Sequence, residues 1–262
     1  MLTVAVVPCR GGSERVPGKN VRDFAGRPGG LTALKLTQLK ACRRLDRIVV
    51  NTDDDEVVRI AREIDATTSG PGIVIVRRPP ALATSSARTD DVITHVVETT
   101  PGDLLLWTHV TSPFVDTAMY DSAVSMFRSL DPRQHDSLMS VSRLQEFIWA
   151  SGGPVNYDAQ AAKWPRTQDL PEWFFVTSGI FLCPRTTMQR AGDRIGDRPY
   201  LFEVDRVAAL DVDWPDDFVL AEHVYRARGE SLPAEAGSYQ ESHDRRFRLQ
   251  PEVPRTIPTS HA

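Results

Sequence analysis

Two short stretches near opposite ends of the chain carry side chains that could do chemistry together. The first is Pro8-Cys9-Arg10-Gly11-Gly12-Ser13-Glu14-Arg15-Val16-Pro17-Gly18-Lys19-Asn20. Adjacent glycines let backbone N–H groups come close to an anion, and Arg10, Arg15 and Lys19 add fixed positive charge. Together they are equipment for a triphosphate. The spacing fits neither a Walker A loop nor a G-x-G-x-x-G fingerprint. The second stretch is Leu210-Asp211-Val212-Asp213. Read as the end of a short strand, it puts residues two apart on the same side, so both carboxylates can face one cavity. Hard oxygen donors of this kind suit Mg²⁺, which keeps several waters and bridges substrate phosphates. Asp216 and Asp217 read as first-turn residues of a following helix.

The elements that must position these stretches follow from the apolar pattern. Leu2 to Val7 is a valine-rich run, as in a strand buried on both faces, and the glycine-rich string follows it directly. Helical spacing over 31–42, a strand at 47–50, a helix from a cap at Asp53 or Asp54 to Ile64, and a strand at 73–76 come next. A helix capped by Thr89 or Asp90 runs to Val97; a strand at 104–107 and a helix at 117–130 follow. Such alternation predicts an α/β, doubly wound, mostly parallel sheet. Strands are expected at 137–141 and 178–183, with an aperiodic insertion of residues 144–178 between them, and Pro215 opens a last helix to about Arg228. The predicted organisation is one domain over 1–230 and a flexible tail over 231–262, where Pro, Ser, His and Arg dominate.

Composition narrows the classes. The 262 residues, 41% hydrophobic and 25% charged, are those of a globular chain with a sizeable core. A net charge of -4 argues against a nucleic-acid partner. Cys9, Cys42 and Cys183 lack any C-x-x-C spacing and read as reduced and buried. No apolar run approaches ~18 residues and the N-terminus lacks a basic region, so a cytoplasmic protein with no membrane partner is expected.

The glycine-rich string resembles the opening motif of the CMP-sialic acid synthetase (acylneuraminate cytidylyltransferase) family, A-R-G-G-S-K-R-I-P-x-K-N. The wider group includes the ketodeoxyoctulosonate cytidylyltransferases. The resemblance runs from about residue 2 to 228 and implies a nucleotide-diphospho-sugar transferase-like fold. It also implies that Arg10, Gly11, Gly12, Ser13, Lys19 and Asn20 hold the CTP phosphates and nucleotide, with Arg15 adding charge. Glu14 stands where the family has a lysine, and is expected to point away from the phosphates. Ile48 to Asp54 resembles the family's V-V-S-T-D-D segment; its acids serve either a helix cap or the nucleotide site. Arg78-Pro79-Pro80-Ala81-Leu82-Ala83 resembles R-P-x-x-L-A, which implies a nucleotide contact for Arg78. Ala87 and Thr89 fall where the family lines the cytosine and ribose, although Ser85 replaces its acid.

On the acceptor side, His109 to Val115 resembles Q-P-T-S-P-L-R, with His109 in place of glutamine and Val115 in place of arginine. Gln168-Asp169-Leu170-Pro171 resembles the end of R-Q-D-L-P, with Arg166 one place off; a surface salt bridge is its other reading. Ser178-Gly179 replaces Asn-Gly, and Leu210 to Asp213 resembles I-D-I-D. The implied acceptor contacts are His109, Thr111, Arg166, Gln168 and Ser178, and the implied metal ligands are Asp211 and Asp213.

The resemblance thus implies Mg²⁺-dependent transfer of CMP from CTP to an anionic acceptor, a sialic-acid-like nonulosonic sugar, with release of pyrophosphate. Arg10, Lys19 and Asp211 would carry catalysis, in a homodimer built through residues 144–178. No residue stands out as a general base. A phosphonate such as phosphonoformate is already anionic and needs none, so it is the alternative acceptor. A nucleotide-binding protein without catalysis is a third reading; Glu14 and Ser85 favour it, whereas Lys19, Asp211 and Asp213 oppose it.

Overall fold

Valine- and leucine-rich runs, buried on both faces, form the middle of a seven-stranded sheet in the computed structural model, which describes residues 1–229. Strands β1 (Thr3–Pro8), β2 (Arg47–Thr52), β3 (Gly72–Arg77) and β4 (Leu104–Trp107) are mutually parallel. Beyond β4 lie β8 (Trp173–Pro184), β5 (Ser137–Leu144) and β9 (Pro199–Glu203), giving the order β3-β2-β1-β4-β8-β5-β9. Only β8 runs antiparallel to its neighbours β4 and β5. A two-stranded hairpin, β6 (Trp149–Ala150) and β7 (Gly153–Pro154), stands in the insertion.

Alternate residues of each strand face opposite layers. Ala5, Val7, Ile48, Val50, Leu104 and Leu106 pack on α1 (Gly30–Lys40), α2 (Asp55–Thr67), α4 (Thr117–Ser129) and α6 (Pro215–Gly229). Val4, Val6, Val49, Leu105 and Trp107 pack on α3 (Thr89–Thr99) and α5 (Arg185–Ala191). Helices on both faces make the sheet doubly wound, as its alternating pattern predicts. Asp54 caps α2 by accepting from Glu56 N–H at 2.8 Å. The three cysteines are free and buried, and burial pushes each thiol up to about 12.

Several expectations are corrected. Residues 210–213 are irregular loop, not strand. Arg88 precedes the first turn of α3, and neither Thr89 nor Asp90 caps it. Strand β8 begins at Trp173, because its pairing with β5 continues as far as Leu144. The sequence pattern had shown neither β9 nor α5. The chain divides into a unit of residues 1–225 and a second, 226–262, of which only the helical end is described. The expected tail, 231–262, lies outside the described residues. Among the described residues no helix is long and apolar enough to cross a membrane.

A lysine sits inside the core. Lys35 of α1 is 0% exposed. Its Nζ donates to Ser112 O at 2.9 Å and Val115 O at 3.0 Å, and lies 2.6 Å from Tyr120 Oη. It thereby clamps the loop between β4 and α4. Burial pulls its pKa down to about 7. A neutral amine still donates to both carbonyls and accepts from the tyrosine hydroxyl. Above pH 7 the unfolded chain retains a proton that the folded chain has released, so folding is favoured increasingly up to the ordinary lysine value. The stability of the wild type relative to Lys35→Met should therefore rise by about 1 kcal/mol per pH unit between pH 7.5 and 9. Urea unfolding at the two pH values checks this; a constant difference would contradict it.

Candidate active site

A cavity of about 340 Å³ opens at the carboxyl ends of β1 and β4, where open parallel sheets bind ligands. The glycine-rich loop forms one wall. Gly12 (φ 67°) and Gly18 (φ 63°) adopt left-handed conformations that suit glycine. Between them Val16 is buried, and Asn20 Nδ2 closes the loop by donating to Arg10 O at 3.1 Å. This turns Arg10, Ser13, Arg15, Lys19 and Asn20 onto the cavity. Gly11 N–H is already engaged, donating to Asp53 Oδ1 at 3.0 Å.

The acid pair arrives from the far end of the fold through Val212, which is 0% exposed. Val212 N–H donates to Thr111 O at 2.8 Å, strapping this loop to the one after β4. Asp217 Oδ2 accepts from the N–H groups of Asp213 (3.0 Å) and Trp214 (2.7 Å) and sets the turn into α6. Lys19 Nζ donates to Val212 O at 2.6 Å and to Asp213 Oδ1 at 3.3 Å. Arg15 reaches the same Asp213 oxygen at 3.2 Å, its guanidinium 5.0 Å from the Trp214 ring centroid. Asp211 is deeper. Burial raises its pKa, the Thr111 and Ser178 hydroxyls that donate to it pull the other way, and Asp213 raises it further.

His109 shares this inner wall with Thr111 and Ser178. Trp107 Nε1–H donates to its Nε2 at 2.9 Å, and Arg194 Nη1 lies 3.3 Å from the same atom. Two donors on Nε2 leave the proton to Nδ1. Burial first, and then Arg194, push the His109 pKa down to about 3, so the ring is neutral.

The sequence-derived residues divide accordingly. The cavity gathers Arg10, Ser13, Arg15, Lys19, Asn20, His109, Thr111, Ser178, Asp211 and Asp213. Glu14, expected to point away, lines it as well, at an exposed position where water screens its charge. Arg78 is buried beside the cavity, its Nε donating to Asn51 Oδ1 at 2.8 Å. Ala87 and the exposed Thr89 sit at the start of α3, away from the cavity wall. Arg166 is exposed and paired with Asp169 at 2.7 Å, and the main-chain carbonyl of Gln168 accepts from Gln145 Nε2 at 3.3 Å. Neither lines the cavity of this single chain. Asp217 is the first-turn acid that the sequence indicated, whereas Arg194 escaped sequence reasoning because its partners are remote in sequence, and Trp107 because it reads simply as a buried strand residue.

The donor set fits a Mg²⁺ ion. Asp211 and Asp213 bring two carboxylates to one cavity, and among the described residues no cluster of three or more His, Cys, Asp or Glu forms a closed cage. Mg²⁺ is bound in this way, with water and substrate phosphates completing the shell. The charges agree: Arg10, Arg15 and Lys19 are matched by Glu14, Asp211 and Asp213, so the wall alone has no surplus to offset a triphosphate. A divalent cation held by Asp211 and Asp213 would provide that surplus.

The comparisons with known proteins converge. The family model described as "Cytidylyltransferase" matches residues 4–177. N-acylneuraminate cytidylyltransferase of Streptococcus agalactiae is 27% identical over 84% of this chain and 52% of its own length. The chain therefore spans about half the length of these neuraminate relatives. Pseudaminic acid cytidylyltransferase of Campylobacter jejuni is 26% identical over 88% of this chain and 99% of its own length. A solved CMP:2-keto-3-deoxy-manno-octonic acid synthetase, complexed with CTP, shares the fold at a TM-score of 0.61. It is 17% identical and covers 88% of this chain and 100% of its own.

Lys19→Met removes the cation from Val212 O and Asp213 together. It is expected to weaken binding of a fluorescent nucleoside triphosphate by about 30-fold, since a charge-assisted bond contributes roughly 2 kcal/mol or more. Unchanged affinity in a fluorescence titration would contradict the assignment.

Proposed function

The chain belongs to the cytidylyltransferase family, and on that footing we propose that it transfers CMP from CTP to a nonulosonic sugar acid, releasing pyrophosphate, with Mg²⁺ as its cofactor. The observation that carries this reading is the meeting of Lys19 with Val212 and Asp213, which joins a phosphate loop and an acid pair in one cavity. The names of the relatives, which refer to N-acylneuraminate and pseudaminic acid, support the acceptor class.

In this mechanism Arg10, Arg15 and Lys19 bind the phosphates and stabilise charge on the departing pyrophosphate, as preorganised donors do. Asp211 and Asp213 would hold the Mg²⁺, which when bound neutralises phosphate charge and favours in-line displacement. His109, Thr111 and Ser178 orient the acceptor on the inner wall. His109 is neutral, but its Nε2 already faces two donors, so that nitrogen is not free to accept the acceptor's proton.

The protein would act as a homodimer. Phe147, Trp149, Trp164, Trp173, Phe175 and Val176 are all exposed on the insertion and the start of β8, and large apolar patches of this kind mark interfaces. A reaction that consumes CTP also suits the cytoplasm.

Pyrophosphate release from CTP and Mg²⁺ is the test, with N-acetylneuraminate, pseudaminate and phosphonoformate as acceptors. Turnover is expected with a sugar acid, and Asp211→Asn should lower kcat at least 100-fold, about 3 kcal/mol of barrier. Turnover with phosphonoformate alone would overturn the acceptor class, and CTP binding without turnover on any acceptor would overturn transfer itself. Sedimentation velocity should show a dimer that Phe175→Asp dissociates.

A further inference from the structure

Arg194 lies in the segment between α5 and β9, half-buried over the sheet. Its guanidinium is 4.1 Å from the Phe181 ring centroid and 5.8 Å from that of Trp107. A guanidinium offers five N–H donors. The acceptor found for them among the described residues is His109 Nε2, 3.3 Å from Nη1. Its Nε is buried with no hydrogen-bond partner. No carboxylate forms an ion pair with it among the described residues; Asp193 attracts it only at longer range. Arg143 and Arg133, by contrast, are paired with carboxylates, and the buried Arg78, which has none among the described residues, donates to both Asn51 Oδ1 and Asn51 O.

A cation withdrawn from water without an anion is costly. The aromatic faces of Phe181 and Trp107 offset part of that cost. The rest calls for an anion, and the ring that Arg194 touches is a wall of the cavity, beside Thr111, Ser178 and Asp211. Arg15 and Lys19 stand at the other end of the cavity, both on Asp213, and Arg194 touches neither. The unmatched charge therefore belongs to the acceptor end.

We infer that Arg194, which stands behind the cavity wall and reaches it through His109, is the positioning residue that makes the inner wall prefer an acid group: its hold on Nε2 and its unmatched charge draw the carboxylate of the sugar acid to the His109 ring. This rests on the reading of the inner wall as the acceptor site. Trp107 and Arg194 together also position His109, fixing Nε2 as the acceptor and leaving Nδ1–H as a neutral donor beside the bound acid.

The test is calorimetric titration of the full chain with N-acetylneuraminate and with its methyl ester. An α,β-methylene analogue of CTP is present to block turnover. The wild type should bind the free acid at least tenfold more tightly than the ester. Arg194→Met should remove that preference while leaving ester affinity and analogue affinity within twofold, and Arg194→Lys should restore part of it by returning the charge without the planar fork. No preference in the wild type, or a preference that survives in Arg194→Met, would overturn the inference. Should the methionine variant not fold, an undiminished preference in Arg194→Lys overturns it equally. The proposed function falls separately: an Arg194-dependent preference without any pyrophosphate release from CTP leaves this inference standing and removes the transfer reading.

Discussion

The ammonium of Lys19 ties together parts of the chain 193 residues apart. Its 2.6 Å bond to Val212 O satisfies a buried carbonyl, and its 3.3 Å contact aims Asp213. Buried carbonyls are costly when left unpaired, so the tie fixes where the late loop can lie. Val212 N–H on Thr111 O completes the arrangement from the other side. With both polar groups of one peptide segment engaged, the flanking Asp211 and Asp213 have little freedom to leave the cavity. The acid pair thus owes its position to hydrogen bonds made by the residue between the acids.

That arrangement divides the cavity into two electrical regions. Near the loop, cations and carboxylates alternate: Arg15 and Lys19 both approach Asp213. Such groups can exchange their partners for phosphate and metal without an isolated charge ever being buried. The inner wall works differently. Its hydroxyls, Thr111 and Ser178, both serve the half-buried Asp211, and its imidazole is held neutral. Arg194 stands behind it as a positive charge not yet matched. A triphosphate is suited to the first region and a single acid group to the second.

The legible parts of this protein are those governed by local rules. Valine-rich runs declared β1 and β2, the Asp53-Asp54 pair declared the start of α2, and Gly-Gly beside three cations declared the wall with the glycine-rich loop. Longer-range causes were hidden. The pair at 211 and 213 suggested a strand by its two-residue spacing, yet the backbone there is irregular, and convergence is achieved through Val212 instead. Strand β9 lies at the sheet edge in the run Pro199-Tyr200-Leu201-Phe202-Glu203, which does not alternate cleanly and is only partly buried. Arg194 belongs to no motif; its meaning comes from Phe181, Trp107 and His109, none of them near it in sequence. Motif matching also named Arg166 and Gln168, which are exposed in this chain and do not line the cavity.

Strand β8 explains why the inner wall is tunable while the phosphate wall is not. It enters the sheet against the direction of both neighbours, so its start, not its end, comes up beside the cavity. The β5–β8 pairing is irregular between Met139 and Val141. There Ser140 Oγ accepts from Ile180 N–H at 2.8 Å and lies 2.6 Å from Thr177 Oγ1, pinning the strand on either side of Ser178. Gly179 admits no side chain, since a Cβ would stand 2.6 Å from Val115 Cγ2. Ser178 is therefore delivered to Asp211 by a bulge and a close packing contact, neither of which touches the phosphate loop. Exchanges at 109 or 178 change what the inner wall presents and leave the bonds of Lys19 to Val212 and Asp213 in place. A shared nucleotide reaction with divergent acceptors is the outcome this separation of supports makes physically available.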